Sequence, residues 1–207
     1  IGYLEPESTR NCHRGFEMDG YEKIEQAVDG VADTIWDVAS NVWEMAELSY
    51  KEFKSSSYVA GALEKFGFEI IENGVGGVET AWVASWGSGS PVIGILTEYD
   101  GLPGLGNDTV PTHTPAKSGN PNGHGCGHNL IASTSVGAAI ALKAHMEKEG
   151  ISGTLKVYGC AAEEALNGKN YMAAAGVFEG LDVCLHNHAG PINSACNFHS
   201  TASIDLW

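Results

Sequence analysis

Basic side chains are scarce in this sequence. Eleven Lys and Arg stand against 26 Asp and Glu in 207 residues, a formal net charge of −15. A chain of that sign lacks the cationic footprint that a phosphate backbone requires, which argues against nucleic acid as a partner. Long apolar runs are missing as well. No stretch approaches the roughly 20 residues that cross a bilayer, so no membrane partner is expected. Cysteines are few and show no pairing pattern. The five, at positions 12, 126, 160, 184 and 196, are odd in number and widely spread. They imply no disulfide framework and suggest a reducing compartment, the cytoplasm. The chain begins Ile1-Gly2-Tyr3, with no initiator Met and no secretory pattern, and the expectation is a processed or incomplete chain. Apolar residues are not scarce: at 43% they suffice for a proper core.

The densest chemical signal is Gly-His-Gly-Cys-Gly-His-Asn at residues 123–129. It offers two imidazoles and a thiol separated by glycines, which let the backbone turn tightly and the side chains converge. A small-residue apolar run follows and predicts a buried helix ending near Gly150, with Asn129 as its N-cap. Cys126 and His128 would then sit at the positive end of the helix dipole, where a thiolate is favoured, and thiolate is the form that binds metal.

The rest of the chain alternates. Residues 1–20 read as an irregular leader. Helical spacing of apolar residues covers 21–50, with Trp36 and Trp43 expected to pack, and a second helix covers 56–66. Strands are predicted at 68–71, 80–86, 92–96, 154–158 and 181–185, with a short helix at 169–175. Residues 104–122, rich in Gly, Pro, Asn and Thr, read as a long loop on the lip of a site, with His113 solvated. Residues 202–207 begin one more strand. This alternation predicts an α/β fold, a mixed, largely parallel sheet flanked by helices. Three successive strand ends carry Asp100, then Glu163-Glu164, then His186 and His188. Open α/β sheets place their sites at the carboxyl ends of strands.

Donors of this mixture suit one or two divalent ions, held by Cys126, His128, a glutamate and a histidine. Paired glutamates suit a metal hydrolase, in which one carboxylate binds the ion and another moves a proton. Two other readings compete. A Cys-His protease would use Cys126 as nucleophile with His188 or His128 as base, but it leaves the glutamates unemployed. A zinc-stabilised binding module would ordinarily carry closely paired cysteines, and Cys126 has no such companion.

The stretches PVIGILTEYDGLPGLG, NGHGCGHNLIA and VYGCAAEEALNGKNYM, with the opening IWDVASNVWEMAELSYKEF, resemble the M20 metallopeptidase family in its amidohydrolase branch. The likeness runs from about residue 21 onward. It implies a zinc-peptidase-like catalytic domain over residues 21–200 that hydrolyses an amide bond. The substrate would be an N-acyl amino acid, an aminobenzoyl-glutamate-like conjugate or a dipeptide. It implies Glu163 as general base and Cys126, His128, Glu164 and His188 as ligands of zinc or manganese. His188 is implied rather than His186, and Asp100 would support the ligands from behind. Glu98 occupies a position where acids stand in that branch. The chain is about half the length the resemblance implies. Residues 201–207 would therefore start a lid domain through which relatives form homodimers. The expectation is an N-terminal half that is inactive alone, or else a catalytically silent relative.

Overall fold

The structure, a computed structural model, describes residues 18–190 except Leu166. The expected lid strand lies outside these residues, as does the leader up to residue 17. Helix α1 spans Met18–Asp29 and α2 spans Ala32–Met45. The single helical stretch expected over 21–50 is thus divided. Gly30 and Val31 close the first helix with bonds back to Gln26 and Val28, and Val31 is buried at the break. The α2 helix ends where Ala46 turns left-handed at φ 35°. Helix α3 is Phe53–Glu64, and a short 3-10 turn occupies Val75–Gly77. The long helix α4, His128–Glu149, and the short α5, Gly168–Ala174, complete the helices among the described residues.

Five strands form one sheet: β1 Glu69–Asn73, β2 Trp82–Ser88, β3 Val92–Thr97, β4 Gly153–Gly159 and β5 Val183–Leu185. Their order is β1-β2-β4-β3-β5. Strand β2 is antiparallel to both of its neighbours, while β3 is parallel to β4 and to β5. Four of the five strands therefore run the same way, which is the mixed, largely parallel sheet expected from the alternation. Strand β3 is joined to its parallel neighbour β4 through α4, the crossover that a parallel pair needs.

The core lies between this sheet and the helices. Leu155 and Val157 of β4 are fully buried, as are Val136 and Ala139 of α4, Val38 and Val42 of α2, and Val59 and Leu63 of α3. Burial of each such Val or Leu side chain contributes about 1.5–3 kcal/mol. Trp36 does not join them: it is 74% exposed, on the side of α2 turned from the core. On the other face of the sheet Tyr158 packs against Phe178 at 4.8 Å and donates its hydroxyl to the Val177 carbonyl. Because β3, β4 and β5 are adjacent and parallel, their carboxyl ends open at one place.

Candidate metal centre

The sequence around α4 decides how its first residue enters the site. Gly127 is left-handed at φ 86°, and a Cβ there would press on Ala189 at 3.1 Å. Only glycine adopts this cheaply. The cap is therefore Gly127 and not Asn129. Asn129 lies inside the first turn and donates its side-chain amide to the Ala39 carbonyl of α2 at 3.2 Å. His124, the other imidazole of the motif, turns away from the site. Its Nε2 bonds the Val42 carbonyl at 2.9 Å, and burial pulls it down to about 4, so it is a neutral pin between loop and helix.

His128 is completely buried. Its Nδ1 donates to Asp100 Oδ1 at 2.9 Å. Its Nε2 faces Glu98 Oε2 at 3.3 Å, Glu163 Oε2 at 3.6 Å and Glu164 Oε1 at 3.7 Å. Burial alone would depress this imidazole. The bond to Asp100 and the charges of Asp100, Glu98 and Glu164 overcome it and raise the ring. Cys126 Sγ lies 3.3 Å from His188 Nε2, and the other ring nitrogen of His188 donates to the Ala189 carbonyl at 2.9 Å. One donor atom from each of Cys126, His128 and His188 fits within a 4.8 Å span, as does one from each of Glu98, His128 and Glu163.

Asp100 lies behind this cluster. It accepts from His128, from Ser49 Oγ at 2.7 Å and from the Glu164 N–H at 3.0 Å. Burial pushes its carboxyl up, but these donors together hold it below the ordinary range. All six residues singled out in the sequence, Asp100, Cys126, His128, Glu163, Glu164 and His188, therefore meet at the ends of β3, β4 and β5.

Glu98 belongs with them, although no pattern in the sequence assigned it a role. Its side chain is 1% exposed, paired with Lys169 and 3.1 Å from His186 Nε2. Burial raises it, yet His186 and Lys169 together bring it down to about 2. One signal was available: alternate residues of an extended stretch share a side, so Glu98 had to accompany Asp100. His186 had the same signal, standing two residues before His188 at the end of the last strand, whereas Lys169 carried none.

The donors test well against a divalent cation. His128 Nε2, Glu98 Oε2 and Glu164 Oε1 are buried with no hydrogen-bond partner among the described residues, and all three converge. Buried polar atoms are ordinarily satisfied, and a cation would satisfy these together. The thiolate expected from the helix dipole does not form unaided. Burial and the neighbouring Glu164 and Glu163 push the Cys126 thiol up to about 11. Only a cation among these acids would draw off that proton. A cavity of about 390 Å³ lies under the long loop, between Trp43, Asn107, Asn120 and His124. It reaches Gly125 but none of the converging donors.

The model of peptidase family M20/M25/M40 matches residues 99–200, a span that contains all six residues. Over 184 residues the chain is 38% identical to a subunit of the p-aminobenzoyl-glutamate hydrolase of Escherichia coli (strain K12), covering 89% of this chain and 38% of that protein. It is 31% identical over 186 residues to Xaa-Arg dipeptidase of Mus musculus, covering 82% of this chain and 38% of that one. The chain thus spans well under half the length of these relatives. A dinuclear metal-binding peptidase of the M20 family from Bacillus subtilis shares the fold, with a TM-score of 0.64 and 24% identity over 77% of this chain and 44% of that one. The match across the site residues leads to one conclusion: the part of the chain that carries them, residues 99–200, belongs to peptidase family M20/M25/M40.

Proposed function

We propose that this chain carries the catalytic metal centre of a hydrolase that cleaves the amide bond of an N-acyl amino acid, an aminobenzoyl-glutamate-like conjugate or a dipeptide. The carrying observation is the convergence of His128 Nε2, Glu98 Oε2 and Glu164 Oε1, buried and with no hydrogen-bond partner among the described residues, beside Cys126 and His188. Cys126, His128, Glu164 and His188 would hold one or two divalent ions, zinc or manganese. Such an ion lowers the pKa of water from about 15.7 to roughly 7 and polarises a carbonyl.

The chain's own groups do the rest. Asp100 fixes the His128 tautomer so that Nε2 keeps its lone pair, and the Ala189 carbonyl does the same for His188. Glu163 and Glu164 reach His128 at nearly equal distance, so separation does not divide their roles. Exposure supports a division: Glu163 is 33% exposed and Glu164 18%. Glu163 therefore faces the side from which water and substrate enter. It takes the proton of the attacking water and delivers it to the leaving amine. We also propose a homodimer, and the free thiols among the described residues support a cytoplasmic setting.

The contact between Cys126 and His188 also suits a thiol nucleophile with an imidazole base. The acids around Cys126 decide against it, because a thiol pushed up to about 11 is not activated. One experiment separates the readings. Chelation followed by return of zinc or manganese should abolish and restore hydrolysis of hippurate-like N-acyl amino acids, aminobenzoyl-glutamate and dipeptides. Glu163→Gln should end turnover with metal content unchanged. Hydrolysis that survives chelation would refute the metal reading, and substantial turnover by Glu163→Gln would remove Glu163 as base.

A further inference from the structure

The segment that links α2 to α3 has no part in the proposed chemistry, yet it touches the ends of two strands that build the site. Glu47 starts it by capping α3: its carboxylate accepts from the Ser55 N–H at 2.8 Å and the Ser55 hydroxyl at 3.0 Å. Its carbonyl accepts the Gly101 N–H at 2.7 Å, just past β3. Ser49 donates to Asp100, and Tyr50 donates to Asn167 beyond β4. The last member is Glu52. It is completely buried, its Oε1 accepts the Ala162 N–H at 2.6 Å, and its Oε2 has no partner among the described residues.

Ala162 is no ordinary partner. It is left-handed at φ 55°, a conformation that residues with a Cβ avoid. Such a residue persists only where its surroundings over-determine it. Its carbonyl accepts a long bond of 3.4 Å from the Gly168 N–H, so Glu52 is the tighter tie. Glu163 and Glu164 follow directly, and rotation of the Ala162 peptide would swing both carboxylates away from His128. We propose that Glu52 is a positioning residue, whose bond to the Ala162 N–H holds the left-handed turn that aims Glu163 and Glu164 at the metal centre. The proposal rests on the hydrolase reading. A second feature supports it. A buried carboxylate is a costly way to satisfy one N–H, and burial pushes Glu52 up to about 7. Holding a strained peptide demands a buried hydrogen-bond acceptor at this point, which packing alone does not supply.

Two variants of the full chain, loaded with cobalt(II), test this. Glu52→Gln keeps an oxygen for the Ala162 N–H, while Glu52→Met keeps the volume and removes the acceptor. The Gln variant should retain the cobalt visible spectrum and turnover within about threefold, whereas Met should shift the spectrum and lower kcat about a hundredfold with little change in KM. The urea midpoint of the Met variant should change little, since relief of a carboxylate raised by burial offsets the Ala162 N–H left unpaired. A loss from packing alone would lower that midpoint and would not be rescued by Gln. In the unsubstituted chain the Ala162 amide should exchange as slowly as the amides of β4. Fast exchange there overturns the proposal even where the Met variant does not fold. A Met variant with unchanged spectrum and turnover overturns it while the hydrolase reading stands. Failure of the unsubstituted chain to take up cobalt at all defeats both.

Discussion

His128 donates its Nδ1–H to Asp100 at 2.9 Å, and this bond fixes what the other nitrogen can do. With one proton held on Nδ1, Nε2 faces the cluster of Glu98, Glu163 and Glu164, where a cation would take its lone pair. Asp100→Asn keeps one oxygen but cannot accept from His128, Ser49 and Glu164 together. The variant should bind zinc roughly 10–100-fold more weakly, the loss seen when such supporting groups are removed. Competition with a chromophoric chelator measures it, and unchanged affinity would mean that Asp100 does not orient the ligand.

Cys126 should lose a proton when metal binds, because its thiol is pushed up to about 11 in the metal-free chain by burial and by Glu164. Cys126→Ala should lower metal content, and the remaining binding should release about one proton fewer per chain at about pH 8. Titration calorimetry in buffers of different ionisation enthalpy counts those protons. Equal release by the two proteins would take Cys126 out of the centre.

Lys169 is paired with Glu98, a carboxylate only 1% exposed. Lys169→Met leaves that carboxylate to the imidazoles of His186 and His128. The expected loss is about 2 kcal/mol, below the ~3–5 of a fully buried broken pair because Lys169 is partly solvated and His186 stays. Adding Glu98→Gln should return most of the loss, as a double-mutant cycle in urea would register. No loss from Lys169→Met alone would mean that the pair does not form in solution.

Glu52 makes a prediction about pH in the metal-free protein. Its folded value lies near 7 against an ordinary 4.5, chiefly because it is buried. Between those values the folded chain holds more protons than the unfolded one, so stability should fall as pH rises through the window. The fall is at most about 3 kcal/mol, at roughly 1.36 kcal/mol per unit. Urea midpoints at about pH 5 and pH 8 in the presence of a chelator should drop more for the unsubstituted chain than for Glu52→Gln. Equal drops would show that Glu52 is not strained by burial.

The strands and most helices were legible because each is a local pattern. The apolar run that became β3 and the small-residue run that became α4 announce themselves within one stretch. Where several local signals competed, the pattern misled. The apolar spacing over 21–50 hid the break at Gly30 and Val31, and it enrolled Trp36 in a core that it does not reach. Asn129 had the composition of a cap, but the backbone needed a left-handed residue one step before the helix, and Gly127 supplies it.

The α/β alternation, and the delivery of acids, thiol and imidazoles to successive strand ends, can be read from the order of residues. Both follow from periodicity and from the position of polar residues just past apolar runs. The partners of those residues came only with the packing. It separated His124 from His128, paired Glu98 with Lys169 and His186, and set Ser49 and Glu52 against residues 51 and 110 positions away. The reason is physical. A buried polar group must find a partner, but which partner depends on how distant segments pack, and nothing in the neighbouring residues records that.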